Sequence, residues 1–114
     1  MKSRRIDNLE NSGPNLTKKL QKVQGKLDEV SKEISDMSFL GVSGGGAVEV
    51  MLKGDKTPVS IKIKEESKKE LTNDIDMLLD LIIAAFNDSL KKIDDYTDDE
   101  IAKITKGLPL PGLN

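Results

Sequence analysis

Apolar residues recur at alternating spacings of four and three near the start of the chain. They are Leu16, Leu20, Val23, Leu27, Val30, Ile34 and Met37. This heptad alternation places every one of them on a single seam of an α-helix. It predicts a helix from about Asn15 to Ser38. The seam is narrow, so we expect this helix to pair with another helix rather than to lie across a sheet.

The apolar period changes to two after Phe39. Apolar residues then occupy every second position in two runs, Val48, Val50 and Leu52, and Val59, Ile61 and Ile63. Alternation of this kind is typical of half-buried strands, and the segment "GDKTP" between the runs predicts a turn. The segment "FLGV" adds a short strand. We therefore expect a three-stranded antiparallel sheet with one apolar face that needs a cover.

The segment "GVSGGGAVEV", residues 41–50, has two possible interpretations, a phosphate-binding loop or a turn between strands. A phosphate-binding loop requires G-x-x-x-x-G-K-[ST] followed by a helix. Here Ala47 and Val48 begin a strand, no lysine follows at the required place, and Glu49 would repel phosphate. The dinucleotide pattern G-x-G-x-x-G fails as well. The glycines therefore predict a tight strand connection, where glycine tolerates positive φ.

A second helix is predicted from about Asn73, with Thr72 or Asn73 as its N-cap. Its centre, "MLLDLIIAAF", is apolar over roughly 240° of the circumference, which one sheet cannot cover. The alternatives are a helix buried within its own monomer and a helix shared with a second copy. The chain has few elements to surround it, so we favour a two-fold dimer. The predicted interface residues are Leu78, Leu79, Ile82, Ile83 and Phe86.

The C-terminal part of this helix leaves one question open. Thr97 and Glu100 could form a capping box, so either the helix continues through "DDYTDDEIAKIT" or a short new helix begins there. Gly107 and Pro109 end it. With 114 residues, the chain is expected to form one domain. We assign residues 1–14 as a flexible arm, residues 15–106 as the α+β domain and residues 107–114 as a tail.

Composition excludes much of catalytic chemistry. The chain has no Cys and no His, so disulfides, thiolate nucleophiles, His bases and the usual zinc sites are excluded. The carboxylate run from Asp94 to Glu100 lacks the ligand order of a calcium loop and fits a solvated face. We predict no catalytic residue, metal, cofactor or small-molecule substrate, and thus no enzyme. No segment has the apolar length of a secretory signal or a membrane span, so we expect a cytoplasmic protein.

Charge is polarised along the chain although the net charge is only −2. Residues 1–27 hold seven Lys or Arg against two acidic residues, whereas residues 65–100 hold four lysines against twelve acidic residues. Lys18, Lys22 and Lys26 share the helix face opposite the seam and are flanked by Lys19. Such a face suits phosphate contacts, but lysines on an exposed helix face more commonly serve solubility. Among the C-terminal lysines, Lys103 and Lys106 have fewer acidic neighbours than Lys91, which Asp88 and Asp95 flank.

Five segments in this order resemble the YbaB/EbfC family of small bacterial nucleoid-associated proteins. They are "KKLQKVQGKLDEV", "GVSGGGAVEVMLKG", "PVSIKI", "LLDLIIAAFNDSLKKI" and "GLPLPG". The resemblance covers roughly residues 16–113 and is most specific at "DLIIAAFNDSLKK". It implies an α+β homodimer whose helical arms extend like tweezers. It also implies binding to duplex DNA with limited sequence preference, a place at the nucleoid and no known catalytic activity.

The same resemblance implies which residues contact DNA. The candidates are Lys18, Lys19, Lys22, Lys26, Lys91, Lys92, Lys103 and Lys106. The acidic run at 94–100 is a departure that suits a DNA-facing surface poorly, so the N-terminal lysines are the stronger candidates. The alternative function is a protein-interaction or scaffolding module in which the heptad helix docks on another protein and the lysines serve solubility.

Overall fold

A computed structural model describes the backbone of residues 2–106 and the side chains of residues 15–106. Three helices and three strands follow one another in the α+β order predicted from the sequence. They are α1 (Lys2–Asp36), β1 (Ser38–Ser43), β2 (Val48–Lys53), β3 (Pro58–Ile63), α2 (Lys68–Thr72) and α3 (Ile75–Thr105). Single turns of 3₁₀-helix precede β2 and α2. The predicted tail, residues 107–114, lies outside the described residues.

The three strands form an antiparallel sheet in the order β1-β2-β3. Gly41, Val50 and Ile61 are in register across it, so they face the same side. On β2 this side is fully buried, because α3 packs over β1 and β2. Leu52 and Ala85 belong to the same buried cluster. The core is therefore a two-layer contact between one helix and two of the three strands.

The three consecutive glycines form the turn between β1 and β2. Gly44, Gly45 and Gly46 have φ values of 59°, 67° and 95°, which residues other than glycine rarely adopt. The Ala47 N–H donates to the Gly44 carbonyl oxygen at 3.2 Å and closes the turn. A strand follows, not a helix. The predicted strand connection is thus confirmed.

The start of α3 differs from the prediction. Its N-cap is Asp74, whose Oδ1 accepts a hydrogen bond from the Met77 N–H at 3.1 Å. Thr72 instead ends the unpredicted short helix α2, and its hydroxyl donates to the Lys68 carbonyl oxygen at 2.7 Å. Asn73 caps the C-terminal end of α2. From Ile75 the helix runs unbroken to Thr105, so it continues through Thr97 and no new helix begins there.

Helix α1 begins at Lys2, earlier than the predicted start near Asn15, and ends at Asp36 because Ser38 enters β1. The flexibility assigned to residues 1–14 stays a prediction. The exposed fraction of the side chains falls along the heptad seam, from 39% at Leu16 to 6% at Ile34. Among the described residues, only the later part of the seam is therefore covered.

Candidate nucleic-acid interface

Helices α1 and α3 pair along the heptad seam and form a two-helix arm. Near the sheet, Leu27, Val30 and Ile34 of α1 share a cleft with Thr97 and Ile101 of α3. Farther out, Val23 lies beside Ile104. The residue order rises along one helix as it falls along the other, so the two helices are antiparallel. The prediction that the seam pairs with a helix is confirmed, and the partner is α3 of the same chain.

The antiparallel path brings lysines from both helices together. A shallow cleft in the arm is lined by Lys22 and Lys26 of α1 and by Lys103 of α3, with Val23 and Ile104 between them. Two apolar residues and three lysines from the two helices therefore line the same cleft. We call Lys22, Lys26 and Lys103 the arm cluster. Helical spacing in the sequence predicts that Lys22 and Lys26 lie close together on α1. It does not predict that Lys103 of α3 joins them.

The lysines of α1 are available for a ligand. Lys18, Lys19, Lys22 and Lys26 are all exposed. In the part of the chain that the structure describes, none of them forms an ion pair. The next acidic residue on the helix, Asp28, accepts a hydrogen bond from the Gln24 side chain at 3.0 Å. This face therefore presents unneutralised ammonium groups to solvent, as phosphate contacts require.

On α3, Lys103 and Lys106 differ in their surroundings. The Lys103 Nζ lies 2.8 Å from a carboxylate oxygen of Glu100, and this hydrogen bond raises the pKa of Lys103 above its ordinary value. Lys106 follows the last helical residue and is exposed. Because the Glu100 carboxylate offsets its charge, Lys103 attracts phosphate less strongly than the lysines of α1 do.

Lys91 and Lys92 lie elsewhere on α3, along the segment that packs on β1. The Lys91 Nζ is 2.8 Å from the Asp95 carboxylate, and the hydrogen bond between them raises the pKa of Lys91. The Lys92 Nζ donates to the Leu40 carbonyl oxygen at 2.7 Å and lies 3.2 Å from Asp88. The structure therefore does not bring these two lysines into the arm cluster.

The acidic run on α3 is partly neutralised by lysines around it. Asp94 lies 3.8 Å from the Lys56 Nζ, while Asp95 pairs with Lys91 and Glu100 with Lys103. Within residues 15–106, no group of three or more acidic side chains is arranged to hold a metal ion. These carboxylates form a solvated face that offsets the charge of nearby lysines.

A second surface of interest is apolar. Leu79 and Ile83 of α3 are 52% and 60% exposed, and Val59 and Ile61 of β3 are 50% and 52% exposed. The other three predicted interface residues, Leu78, Ile82 and Phe86, are half-buried and pack against the core. We call Leu79, Ile83, Val59 and Ile61 the apolar face. Val59 and Ile61 are solvated because α3 covers β1 and β2 but not β3.

The comparisons with known proteins agree with this architecture. Residues 10–108 match the YbaB/EbfC DNA-binding family. The chain belongs to this family. A nucleoid-associated protein of Clostridium acetobutylicum is 42% identical over 99 residues, which are 87% of each chain. Another, of Oceanobacillus iheyensis, is also 42% identical over 99 residues, 87% of this chain and 93% of the relative.

The fold of the YbaB/EbfC chain also has a counterpart among solved structures. An uncharacterized protein from Helicobacter pylori superposes with a TM-score of 0.57 over 70% of this chain and 90% of the other. The two sequences are 21% identical, so this likeness concerns the fold alone. Among the described helices, none combines the length and the hydropathy needed to cross a membrane.

Two groups of residues in this family member were missed by sequence reasoning. The sequence predicts that the apolar face of all three strands is covered by α3, but Val59 and Ile61 of β3 are exposed. The alternation of apolar residues does not show which strands a helix covers. The sequence predicts Asp88 only as a neighbour of Lys91, whereas its carboxylate accepts a hydrogen bond from the Val42 N–H at 2.9 Å. A signal for its role was available in "NDSLKK", because Asp88 and Lys92 are spaced i, i+4 and fall on one side of the helix.

Proposed function

We propose that this protein binds duplex DNA as a homodimer, mainly through the phosphate backbone, and thereby organises the chromosome or modulates gene expression. The observation that carries the proposal is the lysine face of α1, joined in the arm cluster by Lys103 of α3. Family membership and the names of the relatives, which are nucleoid-associated proteins, support the same conclusion.

The chemistry of the arm favours backbone contacts. Lysine ammonium groups neutralise phosphates and release counterions without reading base sequence. An aromatic platform for unstacked bases is not available among the described residues of the arm: Tyr96, the one aromatic residue of this part of α3, packs on Phe39 with ring centroids 5.7 Å apart. Duplex DNA is therefore favoured over single strands, which proteins bind largely by stacking.

The apolar face supports the homodimer part of this proposal. Four large aliphatic side chains, each at least half exposed, are unfavourable in water, and burial yields roughly 25 cal/mol per Å². A second copy can supply the same face in return, as two-fold interfaces do. Leu78, Ile82 and Phe86 adjoin Leu79 and Ile83 on α3 and complete the proposed interface. Two copies then present two arms, a tweezer-like arrangement that can contact one duplex from two sides.

The DNA assignment is tested by reversing charge on the α1 face. We expect the variant with Lys18, Lys22 and Lys26 all changed to Glu to lose duplex binding in a low-salt gel-shift titration. The matched control reverses the charge of Lys53, Lys64 and Lys69, which are also exposed but lie on β2, before α2 and within α2. It changes the net charge by the same amount. Binding lost equally in both variants, or retained in the first, contradicts the assignment.

The dimer is tested with a buried charge. We expect Ile83→Lys to yield a monomer in light scattering coupled to gel filtration, because the ammonium would be desolvated in the interface. Ala84→Lys is the matched control, since Ala84 is the next residue, is exposed and lies on the polar side of α3. A dimeric Ile83→Lys variant would place the interface elsewhere. If the variant is monomeric, its DNA binding can still be measured, because each monomer retains its two-helix arm.

The alternative function, a protein-interaction module, is favoured by one observation. Leu16 and Leu20 continue the heptad seam and remain 39% and 41% exposed, because the covered part of the seam begins at Val23. A helix of another protein could extend the seam there. The test is a pull-down from nuclease-treated lysate with wild type and with Leu16→Ser/Leu20→Ser. A protein retained only by wild type favours the module, and no difference argues against it.

A further inference from the structure

Strand β1 lies at the edge of the sheet, and two of its backbone groups are bonded by side chains of α3. The Val42 N–H donates to the Asp88 Oδ2 at 2.9 Å. The Lys92 Nζ donates to the Leu40 carbonyl oxygen at 2.7 Å. Leu40 and Val42 are two residues apart, so their backbone groups point to the same edge of the strand, away from β2. An edge strand normally leaves such groups open.

Asp88 and Lys92 act as a pair. They lie one helical turn apart on α3, and their charged atoms are 3.2 Å from each other. The hydrogen bond from the Val42 N–H is the main reason that the pKa of Asp88 is lowered, and Lys92 contributes to the same shift. Together they give the β1 edge one acceptor and one donor, as a neighbouring strand would. We call these two residues the edge clamp.

Contacts next to the edge clamp fix α3 against β1. The Ser89 hydroxyl, which is fully buried, donates to the Phe39 carbonyl oxygen at 2.8 Å. Nearer the other end of the strand, the Ser43 hydroxyl donates to the Leu81 carbonyl oxygen at 2.6 Å. The clamp residues are thus carried by a helix segment that cannot slide along the strand without breaking these two hydrogen bonds, of which the Ser89 bond is buried.

Strand β1 has no protection of its own. Its sequence, "SFLGVS", contains no charged residue and no proline, the features that commonly prevent edge strands from pairing. The side chains of Leu40 and Val42 are also exposed on the outer face. An uncharged, apolar edge of six residues can pair with an identical strand of another molecule. The occupant to be excluded is therefore a second copy of this chain.

We propose that Asp88 and Lys92 close the β1 edge against strand addition by a second copy, so that self-association is confined to the rest of the surface. This inference does not rest on DNA binding or on the proposed dimer interface. It assigns Lys92 to the β1 edge rather than to DNA. It also gives different roles to two i, i+4 ion pairs of α3, Asp88–Lys92 at the edge and Lys91–Asp95 in solvent.

The two ion pairs supply a matched experiment. Asp88→Ala/Lys92→Ala and Lys91→Ala/Asp95→Ala each remove one acid and one lysine from α3 and leave net charge unchanged. We expect amide exchange at Val42, measured by NMR without DNA, to rise roughly tenfold in the first variant because one hydrogen bond is removed. Sedimentation velocity should show species larger than wild type, growing with concentration. The Lys91/Asp95 variant should match wild type in both measurements.

Further variants keep the test decisive. Lys92→Met leaves the bond between Val42 and Asp88 intact and opens only the Leu40 carbonyl, so it should associate less than the double variant. Adding Val42→Lys to the double variant places a charge on the open edge and should restore the wild-type sedimentation pattern. The proposal is overturned if the folded double variant sediments as wild type does. If the double variant does not fold, the same result for Lys92→Met overturns it. Failure of Val42→Lys to reverse association also overturns it.

Discussion

A side-chain carbon at Gly41 would lie 2.0 Å from the carbonyl oxygen of Ala85 and 2.4 Å from the Ser89 nitrogen. Both atoms belong to the backbone of α3, and both residues are fully buried. Strand β1 and α3 therefore approach each other until their backbones touch. This approach brings Asp88 and Lys92 within reach of the β1 edge, so Gly41 positions the helix that carries the edge clamp.

We expect Gly41→Ala to lower the free energy of unfolding by about 3 kcal/mol, the upper part of the usual range for overpacking, because backbone atoms must move to admit the methyl group. Urea denaturation measures the change. Gly25→Ala is the control, since nothing lies within 4 Å of its added carbon in the exposed part of α1. Alanine there should raise stability by about 0.5–1 kcal/mol. Equal stability of the Gly41 variant and wild type would contradict the close approach.

Periodicity was sufficient to predict the main elements of the fold. The heptad seam, the two alternating strands and the apolar "LLDLIIAAF" helix each have a repeat that only one element type accommodates. The start of α3 was not predictable in this way. Thr72, Asn73 and Asp74 are all competent N-caps, and the choice among them depends on α2, which is too short to have a period.

The candidate site was predictable only where one helix carries it. The face with Lys18, Lys22 and Lys26 follows from α-helical spacing. The meeting of Lys22 and Lys26 with Lys103 depends on the antiparallel path of two helices. The pairs Asp88–Lys92 and Lys91–Asp95 look equivalent in sequence, because both are spaced i, i+4. They differ in their tertiary contacts, since only Asp88 and Lys92 form hydrogen bonds with the backbone of β1.

The turn between β2 and β3 contains a strained residue. Lys56 has a φ of 71°, a region that costs residues other than glycine about 1–2 kcal/mol. We expect Lys56→Gly to raise the free energy of unfolding by about 1 kcal/mol in urea denaturation. The ion pair with Asp94 is exposed and 3.8 Å long, so its loss should matter little. Lys56→Ala removes the same ion pair without relieving φ and should give no gain, and a gain equal to that of glycine would refute the explanation.

Ionised Asp88 should make stability depend on pH in the acid range. Its pKa is lowered in the folded state, mainly by the hydrogen bond from the Val42 N–H. The contribution is therefore complete above the unfolded pKa of an aspartate, about 3.9, and is lost as pH falls through the lower folded pKa. Thermal melts between pH 6 and 2 should show a smaller acid-induced loss for Asp88→Asn than for wild type.

The control for this experiment is Asp95→Asn, which changes an exposed aspartate on the same helix that contacts Lys91 but not β1. Asp88→Asn should reduce the acid dependence more than Asp95→Asn does, because only Asp88 accepts a hydrogen bond from a backbone N–H of β1. The same pH dependence in Asp88→Asn and wild type would show that the bond to Val42 does not favour the ionised carboxyl.

The lysines can be sorted by how their removal changes the salt dependence of DNA binding. Each neutralised phosphate contributes about 0.9 to the slope of log affinity against log salt concentration. We expect Lys22→Ala and Lys26→Ala each to make this slope shallower by about 0.9 for every phosphate that the lysine neutralises, because their ammonium groups are exposed and lie in the arm cluster. Fluorescence anisotropy with a labelled duplex at several salt concentrations gives the slope.

Lys92→Ala should leave that slope unchanged, since its ammonium is held by Asp88 and the Leu40 carbonyl. Lys91→Ala, beside it on α3, controls for the loss of one positive charge. A slope made shallower by Lys92→Ala alone would mean that the ammonium leaves β1 to meet phosphate, so the edge clamp would open on DNA. An unchanged slope in the Lys22 and Lys26 variants would instead remove the arm cluster from the DNA-binding surface.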